Sequence, residues 1–355
     1  MKKERTVYFD YLRFFAIIAV IILHAASQDW GGLEGRSFVW NVFNIYDGIT
    51  RWGVSVFVMI SGALFLSRDI PTEKIYTKYI PRLVVSYFVW SAVYSLLAPD
   101  RYLAVDRLGE LSFKDFFIQT VSGTFHLWFI PMIIGLYICI PVIRQIVKNE
   151  HITKYYLVLA LIFSFAVPLI TKLVADFSSG NFKAYATSVL TLITDMGIKT
   201  VVGFATLFVL GYYINRVELN ERTRTVIYIL GAVGFLATVL LNVAVAVKTN
   251  MPYSKYYDTF TLNVLFEAVA VFVWFRYKDY KNEKLNAVIS QLSKYSFGAY
   301  LVHVLVMAVL NEFGVNAFTF NPIFCVPVLS LVTAVISFAI SFLFNKIPVI
   351  NKWII

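Results

Sequence analysis

Long runs of apolar residues, separated by short polar segments, dominate the pattern along the chain. Each run approaches the roughly 17–25 residues that an α-helix needs to cross a bilayer, where lipid offers no hydrogen-bond partner to an exposed backbone. The pattern therefore predicts an all-α polytopic membrane bundle of about ten transmembrane helices. The ten predicted spans are residues 9–27, 50–67, 79–98, 125–147, 155–174, 200–215, 225–247, 259–276, 297–312 and 322–344.

The composition points to the same class of protein. Of the 355 residues, 59% are hydrophobic and only 15% are charged, and the mean hydropathy is +0.72. A soluble globular chain carries about 25% charged residues, so these values exclude an ordinary cytosolic enzyme. Nucleic acid is not an expected partner either, because the basic residues behind the net charge of +10 are spread between apolar segments. Cys139 and Cys325 form neither a disulfide framework nor metal-ligand spacing.

Lysine and arginine are distributed unequally between the two sides of the predicted bundle. Segments on the side of the N-terminus hold 20 of these residues, and the loops on the other side hold 10. The positive-inside rule then places both termini in the cytoplasm. Eleven residues follow the last predicted span. We therefore expect a single transmembrane domain over residues 1–355 with no appended soluble domain.

Ionisable residues inside the predicted spans are the first candidates for function, because a charge in the membrane is costly. They are Arg13, His24, Glu267 and His303, with His126 at the start of the fourth span. Arg13 and His24 share one helix face and lie about 16 Å apart along the axis. That arrangement suits an elongated substrate with an anionic head and a reactive tip. In the alternative interpretation, Arg13 extends to lipid headgroups and His24 bonds a neighbouring helix.

Four short motifs follow one another along the chain. They are Arg13 with His24 eleven residues later, residues 57–62 (FVMISG), residues 125–129 (FHLWF) and residues 296–303 (SFGAYLVH). In this order they resemble the motifs of the membrane-bound acyltransferase 3 family over nearly the whole chain. One departure is that residues 83–86, after Lys78 and Arg82, lack the proline that the family often has near the start of its third span.

The resemblance implies transfer of an acyl group, with acetyl expected, from acyl-coenzyme A (acyl-CoA) to a hydroxyl of a surface or lipid-linked sugar. It implies an enzyme of the cell (plasma) membrane whose partners are the acyl-CoA donor, the glycan acceptor and membrane lipid. We expect no metal cofactor. A zinc site built from His24, His126 and His303 stays an alternative, although no paired-ligand spacing supports it.

For this chemistry the expected catalytic residues are His24, Arg13 and His126. His24 is the expected general base, since imidazole titrates near neutral pH, and His126 is an expected donor to the oxyanion. Arg13, Lys78 and Arg82 are expected to bind the phosphates of coenzyme A. Direct transfer and a covalent acyl-histidine intermediate both fit this pattern.

Further contacts with the substrate or the oxyanion are expected from Ser61, Trp128, Glu267 and His303. Three of these residues, Ser61, Glu267 and His303, also have a structural interpretation. Ser61 together with Gly62 is more typical of close helix packing, whereas Glu267 and His303 could simply bond neighbouring helices. Glu267 lies one turn beyond Asn263, so both side chains could face the same polar surroundings.

Two further points remain open at this stage. Asp10 lies three residues before Arg13 and is expected to pair with it on the helix. A transporter or flippase of a lipid-linked sugar would also need many spans and intramembrane charges, and so would a scaffold that binds acyl-CoA without turnover. No inverted repeat is evident, and the Arg13–His24 pair argues against the scaffold.

Overall fold

The computed structural model describes residues 6–98, 102–104 and 111–355, with the side chains of residues 200 and 201 left out. Across these residues the chain is built of helices and contains no β-strand. The helices are α1 (Val7–Ala26), α2 (Phe38–Gly48), α3 (Trp52–Leu66), α4 (Thr72–Lys74), α5 (Ile80–Leu97), α6 (Phe113–Ser122), α7 (Phe129–Val147), α8 (Glu150–Ala160), α9 (Val167–Phe177), α10 (Gly180–Asp195), α11 (Ile198–Arg216), α12 (Glu221–Thr249), α13 (Leu262–Tyr277), α14 (Glu283–Lys294), α15 (Ser296–Glu312), α16 (Pro322–Asn345) and α17 (Pro348–Trp353). The predicted all-α fold is confirmed.

The helices that can cross a membrane match the predicted spans closely. Within the described residues, eight stretches are long and apolar enough: Val7–Gly32, Phe38–Leu66, Thr72–Leu97, Phe129–Val147, Glu150–Phe177, Glu221–Thr249, Lys255–Tyr277 and Pro322–Asn345. The pair α14 and α15, bent by 63°, gives a ninth and contains the predicted span 297–312. The chain is therefore a multi-pass membrane protein. Five basic residues of the orientation count lie outside the described residues: Lys2, Lys3, Arg5, Arg101 and Arg107.

Two predicted spans differ from the helices that form. The span predicted at 50–67 begins earlier, because α2 precedes α3. Asn44 and Asp47 of α2 are buried polar residues that lower the hydropathy there, and Ser37 Oγ accepts the Trp40 N–H at 3.2 Å to begin the helix. The span predicted at 200–215 corresponds to α11, which is interrupted at Gly203 with a φ of 19° and a ψ of −135° and is not among the stretches named above as able to cross a membrane.

The helices form two compact units. The first comprises Met1–Ala19, Asp29–Arg68 and Val142–Tyr280. The second comprises Val20–Gln28, Asp69–Pro141 and Lys281–Ile355. The helix α1 contributes its first part to one unit and its last part to the other. The single domain expected from the sequence stays a prediction.

In the first unit, α3 and α11 are in backbone contact. A Cβ added at Gly62 would lie 1.7 Å from the carbonyl oxygen of Phe208, and one at Gly211 would lie 2.0 Å from that of Met59. No side chain fits at such distances, so glycine is required on both helices. This close approach fits the helix-packing interpretation of the Ser61–Gly62 pair.

In the same unit, α12 packs against α13 through two more glycines. A Cβ added at Gly231 would lie 2.2 Å from the Cβ of Ala270, and one at Gly234 would lie 2.5 Å from the carbonyl oxygen of Asn263. Small residues one turn apart therefore let these two helices approach along a closely packed seam. Glu267 of α13 lies in this seam and is fully buried.

The second unit is organised around α15, which packs against α16 and α5. A Cβ added at Gly298 would lie 2.2 Å from Ser341 Oγ, so this helix pair is also closely packed. The chain after α16 returns to α5 as α17. There the Ser86 hydroxyl and the Trp90 indole N–H donate to the carbonyl oxygen of Ile354 at 2.8 and 3.2 Å.

Candidate functional site

Arg13 and His24 both lie on α1, and Arg13 is paired with Asp10. Arg13 Nη1 is 3.3 Å from Asp10 Oδ1, which confirms the predicted i, i+3 pair. The Asp10 side chain is 2% exposed, whereas that of Arg13 is 30% exposed. The buried carboxylate therefore orients the guanidinium and leaves part of it accessible to a ligand.

His24 is hydrogen-bonded to His303, a residue 279 positions away along the chain. His24 Nδ1 and His303 Nε2 lie 2.8 Å apart, and the two ring centroids are separated by 4.9 Å. His303 lies on α15, and its Nδ1 is 2.6 Å from the carbonyl oxygen of Tyr300. Two of the histidines that the sequence singled out are therefore direct partners in the second unit.

These contacts assign a hydrogen to each ring nitrogen of the pair. The Tyr300 carbonyl can only accept, so His303 Nδ1 must carry the hydrogen and donate it. In a neutral His303 the Nε2 atom then holds a lone pair, and His24 must donate its own Nδ1–H to it. In this tautomer the basic nitrogen of His24 is Nε2. The Tyr300 carbonyl, the buried His303 and the half-buried His24 thus form one chain of hydrogen bonds.

His126 lies beside this pair. Its ring centroid is 6.4 Å from that of His24 and 5.5 Å from that of His303, with both rings nearly perpendicular to it. The Tyr300 hydroxyl donates to the His126 carbonyl oxygen at 2.6 Å, and the Tyr94 ring lies 4.6 Å from the His126 ring. Three predicted site residues therefore form one cluster, which we call the histidine cluster (His24, His126 and His303).

Only one member of the histidine cluster is partly exposed. His303 is 0% exposed and His126 is 2% exposed, whereas His24 is half-buried. His24 is therefore the member of the cluster that is accessible from outside, while the other two lie in the interior. The part of the chain that the structure describes contains no group of three or more His, Cys, Asp or Glu side chains placed to hold a metal ion.

The basic residues predicted to bind coenzyme A lie on and before α5. Both Lys78 and Arg82 are exposed. The Arg82 guanidinium donates a hydrogen bond to the carbonyl oxygen of Ile355, in the segment that follows α17. Despite this contact Arg82 remains exposed, so a ligand can still reach it. The predicted convergence of Arg13 with these two residues stays a prediction.

Two residues predicted to donate to the oxyanion have other surroundings. The Ser61 hydroxyl donates to the carbonyl oxygen of Phe57 at 3.0 Å, within its own helix. Trp128 is 43% exposed and packs edge-on against Phe129 with ring centroids 6.4 Å apart. Ser61 thus spends its one hydrogen on the helix backbone, which fits the packing interpretation of the Ser61–Gly62 pair.

Glu267 lies in the seam between α12 and α13, in the first unit. It is hydrogen-bonded to the hydroxyl of Thr238, which also accepts the amide N–H of Asn263 at 2.8 Å. Glu267 and Asn263 therefore share polar surroundings, as predicted, and the bond to Thr238 joins two helices. This bond fits the interhelical alternative, and a contact of Glu267 with the substrate stays a prediction.

Sequence reasoning missed two polar residues that organise these sites. Tyr94 donates to the Leu301 carbonyl oxygen at 2.8 Å and accepts the Leu305 N–H at 3.1 Å, next to the histidine cluster. Thr238 is the partner of Glu267. Both lie inside predicted spans, where a hydroxyl without water must find a partner in the protein. That requirement is the signal that could have identified them.

Comparison with known proteins agrees with the motifs. The model of an acyltransferase domain, that of the acyltransferase 3 family, matches residues 6–344 of the chain. The comparison with curated proteins gives no match, and the comparison with solved structures gives none either. The matched segment includes Arg13 and every member of the histidine cluster. On this match over nearly its whole length, the chain belongs to the acyltransferase 3 family and is a membrane acyltransferase.

Proposed function

We propose that this membrane acyltransferase moves an acyl group, with acetyl expected, from cytoplasmic acyl-CoA to a hydroxyl of a surface or lipid-linked sugar. The observation that carries the proposal is the bond between His24 Nδ1 and His303 Nε2, 2.8 Å long, with His24 the partly exposed member of the pair. A histidine that is held by a buried partner and is itself partly exposed suits a general base.

In the proposed reaction, His24 Nε2 takes the proton from the acceptor hydroxyl while the hydroxyl oxygen attacks the thioester carbonyl carbon. The tetrahedral intermediate then collapses, the carbon–sulfur bond breaks, and the coenzyme A sulfur receives the proton from His24. An ester and a free thiol result, and His24 is again neutral. Throughout this cycle His303 Nε2 accepts the His24 Nδ1–H, which becomes a charge-assisted bond when His24 is protonated.

The histidine cluster also offers a donor for the negative oxygen of the intermediate. His126 is the candidate that lies within the cluster, with its backbone held by the Tyr300 hydroxyl. A fixed donor next to the general base stabilises charge without reorganising in the reaction, and such a donor is commonly worth about 2.7–4 kcal/mol. His126→Ala should therefore lower kcat more than it raises the KM for acyl-CoA.

Arg13, Lys78 and Arg82 are the proposed contacts for the phosphates of the donor. Arg13 is already oriented by Asp10, and Arg82 is exposed and bonded to the Ile355 carbonyl oxygen. A phosphate forms bidentate, charge-assisted hydrogen bonds with a guanidinium, so the donor would compete with that contact. With both termini in the cytoplasm of a plasma-membrane protein, the donor would enter from inside and the acceptor from outside.

The test uses the purified full chain with labelled acetyl-CoA and candidate glycan acceptors. We expect transfer of label by the wild-type protein, loss of transfer with retained donor binding in His24→Ala, and weakened donor binding in Arg13→Ala. His151→Ala is the matched control, since this histidine is exposed on α8.

Three outcomes would contradict the proposal. Transfer that persists in His24→Ala removes this residue from the chemistry. Equal donor binding in the His24 and Arg13 variants contradicts the division of roles. Sugar flux across vesicles without thioester cleavage indicates the transporter instead. A separate acid quench without acceptor distinguishes the two routes, because label bound to His24 indicates an acyl-histidine intermediate.

A further inference from the structure

The hydroxyl of Thr238, inside the first unit, is the meeting point of three hydrogen-bonding groups. It contacts the Gly234 carbonyl oxygen at 2.9 Å, the Asn263 amide nitrogen at 2.8 Å and one carboxyl oxygen, Oε1, of Glu267. Thr238 and Glu267 are 0% exposed, and Asn263 is 2% exposed. Water therefore does not share these bonds, and the donors and acceptors must match within the protein.

Two of the three neighbours have fixed roles. The Gly234 carbonyl can only accept a hydrogen bond. The Asn263 amide could in principle be rotated, but its nitrogen also lies 2.8 Å from the Tyr256 carbonyl oxygen, which can only accept. The Asn263 nitrogen must therefore face both groups, and it donates one N–H to each of them.

The third contact then depends on Glu267. A hydroxyl has one hydrogen and two lone pairs. The Asn263 N–H fills one lone pair, and the single Thr238 hydrogen can serve either the Gly234 carbonyl or Glu267 Oε1, but not both. An ionised carboxylate would therefore leave one of these two contacts without a hydrogen, whereas a protonated carboxyl supplies the missing hydrogen and satisfies all three contacts of the hydroxyl. We propose that Glu267 is a proton-binding site, in which the carboxyl group is neutral at pH 7 and donates its Oε1–H to Thr238.

The charges around the seam do not provide a counterion instead. The charged group that acts on Glu267 is Arg51. It already forms an ion pair with Asp47, and its guanidinium lies 4.3 Å from the centre of the Tyr257 ring. Helix α3 and residues 161–166, which also pack against α13, carry no charged residue. The charges of α12 and α13 lie at their ends: Glu221, Arg222, Arg224 and Lys248 on α12, Lys255 and Asp258 before α13, and Arg276 at the end of α13. Helix α1, which packs its Tyr8 and Tyr11 rings against α13, carries Asp10 and Arg13, and these two pair with each other.

The neutral acid explains why so tight a seam tolerates a carboxyl group. An ionised Glu267 would leave one uncompensated charge between α12 and α13, which is costly at this depth. A protonated Glu267 instead adds one saturated hydrogen bond between the helices. The ligand of this site is thus a proton rather than a metal ion, and it belongs to a different cluster from the proposed general base.

Infrared spectroscopy of the purified full chain at pH 7 tests the proposal directly. The wild-type spectrum should contain a carbonyl band of a protonated carboxylic acid that is absent in Glu267→Gln. Because a glutamine N–H can donate to Thr238 in the same way, the melting temperature of this variant should change by no more than about 2 °C. Asp47→Asn is the matched control: it should keep the band and lower the melting temperature by more than about 4 °C, since it leaves Arg51 without its carboxylate.

Two results would overturn the proposal. One is a wild-type spectrum with no Glu267-dependent acid band, together with a melting temperature that falls in Glu267→Gln as far as in Asp47→Asn. The other is stabilisation of the wild type, but not of Glu267→Gln, by sodium chloride over choline chloride, because the site would then bind a cation. If Glu267→Gln does not fold, Thr238→Val provides the test. The Glu267 carboxyl group then loses the hydroxyl that accepts its hydrogen, so the acid band must shift, and an unshifted band refutes the assignment.

Discussion

Replacing His303 with alanine removes the acceptor that holds His24 in one tautomer. His303 is fully buried and contacts His24 Nδ1 at 2.8 Å, so the expected effect reaches the reaction through His24. During proton transfer the bond becomes charge-assisted, and such a bond contributes about 1.5–3 kcal/mol. With a tenfold change in rate for about 1.4 kcal/mol, kcat should fall roughly 10- to 150-fold. The KM for acyl-CoA should stay within about twofold, because in the proposed reaction His303 acts only by positioning His24.

The assay measures release of free coenzyme A at saturating donor, beside His303→Gln and His151→Ala. The glutamine variant keeps an oxygen that can accept the His24 N–H, so it should recover part of the lost kcat. His151→Ala removes an exposed histidine of α8 and should retain the wild-type rate. The melting temperature of each variant is recorded, so that the rate is expressed per folded molecule.

The reasoning fails if kcat per folded molecule is unchanged in His303→Ala. It also fails if the alanine and glutamine variants are equally impaired, since a tautomer-holding role predicts recovery by an acceptor. A rise in the KM for acyl-CoA with constant kcat would place His303 in donor binding instead.

Three further outcomes follow from the packing and the ion pairs. Gly62→Val should lower the free energy of unfolding by about 3 kcal/mol or more, because a Cβ there would lie 1.7 Å from the Phe208 carbonyl oxygen. Ser61→Ala should change it by less than about 0.5 kcal/mol. Chemical unfolding measures both variants. Tyr94→Phe removes two hydrogen bonds to α15 and should lower the free energy of unfolding by about 1–2 kcal/mol in the same assay. Asp10→Asn should raise the KM for acyl-CoA about two- to fivefold at constant kcat, because it weakens the ion pair that orients the Arg13 guanidinium. Steady-state kinetics with varied donor measure this, and a fall in kcat at unchanged KM would contradict the prediction.

The spans were predictable because lipid imposes a length and a composition on each helix. The same rule explains the errors at the edges. Asn44 and Asp47 are buried polar residues that mask α2 in a hydropathy pattern, although Tyr257 and Arg51 satisfy them in the fold. The bend of 63° between α14 and α15 has no counterpart in the apolar pattern, since periodicity does not record the direction of an axis.

The candidate site was predictable in its residue types but not in its pairing. The cost of an ionisable group in a membrane identified His24 and His303 as candidates. Nothing in local sequence shows that two residues 279 positions apart share one hydrogen bond, because that depends on how α1 and α15 pack. For Ser61 the sequence allowed a contact with the oxyanion but favoured helix packing, and the bond from its hydroxyl to the Phe57 carbonyl oxygen fits the packing interpretation.

The paired glycine contacts between α3 and α11 have a mechanical consequence. Gly62 against Phe208 and Gly211 against Met59 are reciprocal and lie one turn apart on each helix, so sliding either helix along the other would drive backbone into backbone. These two helices must therefore move together as one rigid body during turnover. Any opening that admits a bulky acceptor has to come from other parts of the molecule. A disulfide engineered between α3 and α11 should accordingly leave the turnover rate unchanged.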